Sequence, residues 1–314
     1  MRFHLLLSNV TGAVAGPDPA AALVEAARRA EEAGLDRVWL PDHQWWDAGP
    51  ADRPVLDPFA VLGLLAGATR RIGLGPLVAG VHFRHPAVLL KQVTTLDVLS
   101  GGRACFGIGA GWYRPECAGL GIPFPPAPQR YALLADALRL ARLMWSPEGA
   151  SADTAPALTG EVLVVPRALC SPAPRRVPPV LVGGDGPKWT LPLVAAHADE
   201  ANLFATTEDG TSRLDVLADR VRRLAAECAA VDRDPAGITL TATVLTDPSA
   251  GRAALDRTRR LVDGLAALGV AAVVIGDPAA VGAGVLDRRA VLDTWLERVV
   301  PQAPEPAPTW RGNR

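Results

Sequence analysis

The chain has 314 residues, a formal net charge of −1 and 49% hydrophobic residues. That length suits one large α/β domain or two ordinary ones, and the apolar share supplies a sizeable core. Balanced charge leaves no electrostatic footprint for nucleic acid or anionic lipid, and no apolar run reaches the roughly 18 residues that span a membrane.

Short Val/Leu/Ile runs alternate with longer Ala/Leu/Arg segments of helical period. The first strand is expected over 3–8, followed by a helix over 19–33 that Gly34 ends as a C-cap glycine. Arg2 and His4 interrupt the first apolar run and no cleavage site follows, so no signal peptide is expected and a cytoplasmic location is. A strand over 37–41 precedes a helix near 57–68. The third strand spans 72–78, and its helix starts after His85-Pro86 and runs to residue 99, with proline suited to a first helical turn. The fourth strand covers 103–108, with a helix over 129–145. An irregular, proline-rich segment fills 146–178. Strands at 180–183, 200–204, 238–245 and 270–275 pair with helices at 187–196, 211–230, 252–268 and 287–299. Eight strand–helix units predict a parallel sheet closed into a (β/α)₈ TIM barrel, as one domain over 1–300. A doubly wound open sheet is the competing arrangement. Residues 301–314 read as a proline-rich tail. The four cysteines form no C-x-x-C pair and read as small buried hydrophobes.

A barrel of this kind carries its site at the carboxyl ends of the strands. After strand 2 come Asp42, His43, Trp45 and Trp46. His43 is a candidate hydrogen-bond donor or general acid, and the tryptophans are core plugs or walls of a ring-shaped pocket. Strand 4 empties into glycines at alternate positions, Gly107, Gly109 and Gly111, with Ala110 between and Trp112 next. Such a turn lets backbone approach a phosphate or a flat ring, or is only a tight strand exit. The spacing lacks the third glycine of the dinucleotide fingerprint. Gly183, Gly184, Asp185 and Gly186 open the next helix, where amides face an anion and Lys188 adds charge. Arg84 and Arg130 are candidate phosphate partners; His82 and His85 read as packing and helix-start residues. Histidines are scattered, so no metal centre is expected, and neither a nucleophile elbow nor a P-loop is present. Two glycine turns, aromatic walls and one histidine suit a phosphate-bearing aromatic cofactor.

These residues carry a resemblance. The phrases GLDRVWLPDH (34–43), FRHPAVLLKQVTTLDVLSGGR (83–103), FGIGAGWYRPE (106–116), GIPFPPAPQR (121–130), PPVLVGGDGPKWTL (178–191) and HADEANLF (197–204) resemble the luciferase-like monooxygenase superfamily, especially its coenzyme F420-dependent oxidoreductases. The similarity covers about residues 1–230 and is most specific over 94–130. It implies a TIM barrel with an insertion after helix 4, at about 146–178, and a homodimer packed through helices 2 and 3. It implies that His43 sits beside the cofactor ring and that a bulge at Leu77, Val78 and Ala79, often with a non-prolyl cis peptide, backs that ring. Asp42, the turn Gly109–Gly111, Arg130 and the entry Gly183–Gly186 with Lys188 would hold the cofactor, and Trp45, Trp46 and Trp112 would shape the substrate pocket. The cofactor implied is F420, with FMN, O₂ and a separate reductase partner as the alternative, acting on a small organic substrate. Members that oxidise sugar phosphates carry a glutamate directly after the glycine turn. Trp112 stands there in this chain, which removes one acid from the expected mechanism. The link between strands 7 and 8, over 246–269, is also shorter than is usual.

Overall fold

A two-residue device starts each of the first three long helices. Asp18, Asp57 and His85 are N-caps whose side chains accept from Ala21, Ala60 and Ala87 N–H, and each is followed by proline, which has no amide to leave unpaired. The computed structural model describes residues 1–7, 18–45, 55–207, 210–276 and 289–300, with the side chains of 289 and 290 excepted. The expected tail over 301–314 and the expected helix start at 287 lie outside the described residues.

The elements are β1 (Arg2–Leu6), α1 (Pro19–Glu32), β2 (Arg37–Leu40), α2 (Pro58–Ala68), β3 (Gly73–Pro76), β4 (Ala79–Gly80), α3 (Pro86–Ser100), β5 (Phe106–Gly109), α4 (Arg114–Leu120), α5 (Ala127–Met144), β6 (Leu158–Thr159), β7 (Val164–Val165), β8 (Val180–Gly183), α6 (Thr190–His197), β9 (Glu200–Phe204), α7 (Leu214–Ala230), β10 (Thr239–Leu245), α8 (Arg252–Ala267), β11 (Ala272–Gly276) and α9 (Arg289–Thr294). The main sheet runs β3-β2-β1-β11-β10-β9-β8-β5-β4, with every pairing parallel. Leu74 N donates to Arg103 O at 3.0 Å and Cys105 N to Leu74 O at 2.9 Å. A parallel Leu74–Ala104 bridge therefore joins the two ends, and the ring closes as a barrel rather than an open sheet. Strand alternation sorts the two cores. Phe3, Leu5, Val38, Leu40, Phe106 and Ile108 pack outward against the helices. Trp39, Cys105, Leu181 and Val274 fill the barrel interior.

The strand expected over 72–78 ends at Pro76, and the cis Leu77–Val78 peptide that the resemblance implied follows it, ahead of β4. Two local details depart from the sequence expectation. A short helix, α4, follows the glycine turn, in a stretch to which the sequence reading assigns no element. The helix expected from 187 begins at Thr190, because Pro187–Trp189 form a turn in which Trp189 is non-helical (φ −125°, ψ −44°). Residues between α5 and β8 hold the hairpin β6–β7. The buried Asp136 carboxylate moors that hairpin, accepting from the amides of Glu161, Val162 and Leu163. The four cysteines are free and buried. Among the described residues, no helix is long and apolar enough to cross a membrane.

Arg103 ties the closure together. Its guanidinium donates to carbonyls of Ala66, Thr69, Ile72 and Ser100, the last-turn acceptors of α2 and α3 and the entry to β3. At the amino end of the barrel Arg37 and Glu200 form a buried two-bond ion pair, at 2.6 and 2.7 Å. Burial with one partner is tolerable only while both charges are present. Glu200→Ala is therefore expected to destabilise by about 3–5 kcal/mol, whereas an Arg37→Met/Glu200→Leu pair recovers most of that; urea unfolding midpoints of the two variants check it.

Candidate active site at the carboxyl rim of the barrel

The carboxyl half of the barrel is hollow because its inward positions are small. Gly107 and Gly109 of β5, Gly183 of β8 and Gly276 of β11 occupy alternate, inward positions. A Cβ on Gly107 would lie 2.2 Å from the Pro76 carbonyl, and one on Gly183 would lie 2.5 Å from Val78 Cγ1. The glycine rows thus make room for the bulge between β3 and β4, which carries Val78 inward. Above it opens a cavity of about 930 Å³. Gly111 (φ +79°) has a further reason to be glycine: a Cβ there would meet the His82 ring at 2.1 Å.

The cavity brings together most of the residues singled out in the sequence: Asp42, His43, Leu77, Val78, Gly109, Ala110, Gly111, Trp112 and the Gly183–Gly186 turn all line it. Others serve elsewhere. Ala79 is buried and pairs with Ile108. Arg130 is not among the lining residues; it lies 3.9 Å over Phe124 and donates to the carbonyls of Pro125 and of Ala110, bracing the glycine turn from behind. Lys188 sits over Trp189 at 4.9 Å. The turn before α6 carries it there. Trp45 packs beside Gly119 of α4, and Trp46 lies outside the described residues. Arg84 holds Asp42 through two bonds of 2.7 and 2.9 Å, and Gly80 N donates to the same carboxylate at 3.0 Å. Both groups are thereby committed to the strand 3 bulge.

The residue that sequence reading missed is Glu116. It is fully buried on α4. Its Oε2 lies 2.9 Å from His43 Nδ1, and its Oε1 accepts from the amides of Gln44 and Trp45. A carboxylate only accepts, so Nδ1 carries the proton toward Glu116 and Nε2 becomes the atom that exchanges protons with a ligand. The T-shaped contacts of His43 with Trp112 and Tyr113, each at 6.1 Å, fix the ring plane. The acid that the sequence placed out of reach is present one helical turn further on. Its only sequence signal was an acidic residue early in a segment that opens with Pro115, easily read as loop. At the opposite end of the cavity Tyr131 and Thr190 hydroxyls lie 3.1 Å apart beside the Gly183–Gly186 turn. This is a polar cradle built partly from glycine backbone, with Gly184 at φ +115°.

His82, expected to serve packing, also lines the cavity. Both its ring nitrogens are buried without a hydrogen-bond partner. Desolvation, with Arg130 nearby, lowers its pKa to about 4. Burial likewise holds His4 well below the ordinary histidine range. A histidine with a depressed folded pKa binds its proton only on unfolding, so the unfolded chain holds more protons below pH 6.5 and stability falls as pH drops from there toward 4. Denaturant midpoints across that window are expected to fall, and the slope is expected to shrink by up to one proton in His82→Phe.

Comparison with known proteins places this geometry. The model of the luciferase-like monooxygenase family matches residues 1–267. The chain is 35% identical over 170 residues to an F420-dependent glucose-6-phosphate dehydrogenase of Kineococcus radiotolerans, covering 54% of this chain and 48% of that protein. It therefore spans about half the length of that curated relative. Its fold is similar to a solved F420-dependent secondary alcohol dehydrogenase (TM-score 0.70, 16% identity, 89% of this chain and 96% of that one). It is also similar in fold to a long-chain alkane monooxygenase (TM-score 0.63, 18% identity, 85% and 70%). A family model that covers most of the sequence, over a barrel with a glycine-lined carboxyl mouth, means that the chain belongs to the luciferase-like monooxygenase family.

Proposed function

We propose that this chain is a coenzyme F420-dependent oxidoreductase that reduces a C=C, C=N or C=O bond of a small organic substrate, or oxidises an alcohol. The observation that carries the reading is the His43–Glu116 pair at the mouth of a cavity whose floor is the Leu77–Val78 bulge. The names of the curated relatives supply the cofactor. The residues fit such a group. Leu77, Val78 and the Gly109–Gly111 turn would take a flat ring, and Gly183–Gly186 with Tyr131 and Thr190 would take its phosphate. When bound, reduced F420 supplies a hydride. His43 Nε2 delivers the proton that a carbonyl oxygen needs as its carbon is reduced, or takes it from an alcohol in reverse. Glu116 positions that imidazole by accepting from Nδ1. Trp112 and Tyr113 wall His43 and limit water at the exchanging atom.

Titrating the purified protein with F420 and with FMN, each reduced and oxidised, tests the cofactor. The expected result is quenching of F420 fluorescence without O₂ uptake. FMN binding with substrate-dependent O₂ consumption would replace this reading with the monooxygenase one. His43→Ala is expected to lower kcat by about 10²–10⁴-fold while leaving F420 affinity unchanged, since a placed general acid acts on the chemical step. Glu116→Gln presents an amide N–H to Nδ1 and so favours the other tautomer. It is expected to alter the pH–rate profile more than KM, and steady-state kinetics across pH read both.

The same reading includes a homodimer. Val88 and Leu99 stand exposed on α3 and line an apolar groove with Phe59, Leu96 and Met144, and Leu64 is exposed on α2. A second copy of the chain would cover them. Val88→Glu/Leu99→Lys is expected to shift the light-scattering mass from two chains to one.

A further inference from the structure

We infer that Asp185 is a specificity-determining residue: by holding Arg213 it cancels the guanidinium facing the cavity and selects an uncharged substrate over an anionic one. The inference rests on the reading of this cavity as the substrate site. Every carboxylate lining the cavity has a cationic or donor partner in the wall. Asp42 is held by Arg84, Glu116 by His43 and two amides, and Asp185 by Arg213 Nη2 at 2.8 Å. Among the described residues Arg213 is the one guanidinium that lines the cavity. Its Nη1 donates to the Phe204 carbonyl at 3.2 Å and its backbone N–H to Ala205 O at 2.8 Å, so the side chain is fixed between the β8 turn and the end of β9.

A sugar phosphate needs an arginine or lysine whose donors face it. Here that arginine is occupied by an anion, so a substrate phosphate brought to Arg213, on the β9 side of the turn rather than in the Tyr131–Thr190 cradle proposed for the cofactor, would sit against the Asp185 carboxylate. Like charges at such range repel strongly where water is scarce. The wall opposite the bulge offers no replacement. Leu6, Phe204 and Leu245 are apolar. Asn202 is spent on Thr241 and Thr243 at 2.9 Å each. What remains for a substrate is a largely apolar enclosure whose polar groups are neutral: the His82 ring and the hydroxyls of Tyr113, Tyr131 and Thr190, with His43 as the group held for proton exchange. That combination suits a neutral ketone or alcohol with a hydrocarbon body.

Isothermal titration calorimetry on the full chain with F420 present, so that the Tyr131–Thr190 cradle is taken, tests this, using glucose 6-phosphate, inorganic phosphate and cyclohexanone as probes. The wild type is expected to take cyclohexanone in preference to either anion. Asp185→Asn frees Arg213 and is expected to raise affinity for both anions by about tenfold or more, the worth of one charge-assisted hydrogen bond. Asp185→Asn/Arg213→Met is expected to abolish that gain. Wild-type protein that binds glucose 6-phosphate more tightly than cyclohexanone overturns the inference without any variant. An Asp185→Asn protein with native circular dichroism and no gain in anion binding also overturns it. F420 fluorescence quenching is measured on the same samples. Loss of quenching with the probe preferences intact counts against the cofactor reading alone, whereas normal quenching with reversed preferences counts against the inference alone. An Arg213→Met protein that loses F420 affinity would assign the pair to the cofactor and overturn the inference.

Discussion

One buried carboxylate organises the candidate site. Glu116 has no solvent contact. It satisfies its lone pairs with a histidine ring and two consecutive backbone amides from a loop 73 residues away in the chain. An ionised group in such a place is stable only if its acceptors are filled, so the interaction works in both directions. The loop after β2 gives Glu116 its donors, and Glu116 gives that loop one shape and His43 one tautomer. Asp42, next to His43, is held from the other side by Arg84 and Gly80. Two buried carboxylates, Asp42 within the loop and Glu116 on α4, therefore pin it from both sides.

The hollow above the bulge has an equally plain origin. In a packed barrel the inward side chains fill the interior in layers, and here the lower layers do so with Trp39, Cys105, Leu181 and Val274. Near the carboxyl rim the inward positions of β5, β8 and β11 become glycine. The space released is taken in part by Val78 and is otherwise open. The glycines that read as places where backbone meets a ligand also serve the protein itself, admitting Val78 and the His82 ring. The charged groups of the cavity follow a similar logic. Each is already paired within the wall, which leaves an apolar chamber with polarity concentrated at His43 and at the Tyr131–Thr190 cradle.

The eight-unit barrel could be read from the chain because its signals are local. Apolar runs of strand length, helical periodicity, the His85-Pro86 start and the Gly34 stop each act within a few residues. The candidate His43 and the two glycine turns could be placed for a related reason: in a parallel barrel the position after a strand fixes the rim on which a residue falls. The bulge at Leu77–Val78 was legible only through the family resemblance. The details that the sequence leaves open are those in which a side chain's partner is remote. Arg84 and Arg130 are candidate phosphate partners in the sequence, and in the fold one pairs with Asp42 and the other donates to backbone carbonyls. Lys188 is a candidate tail ligand, and the turn ahead of α6 sets it over Trp189. Trp112 seemed to displace the needed acid, although α4 delivers Glu116 to the same histidine.

Local rules of hydrogen bonding and hydrophobic period thus settle which segments are strands and helices, and hence which loops share the carboxyl rim. Pairing among charges cannot be settled that way. Electrostatic and hydrogen-bond partners are chosen by distance in space, and the distances from Glu116 to His43 and from Asp185 to Arg213 exist only once the ring of strands has closed.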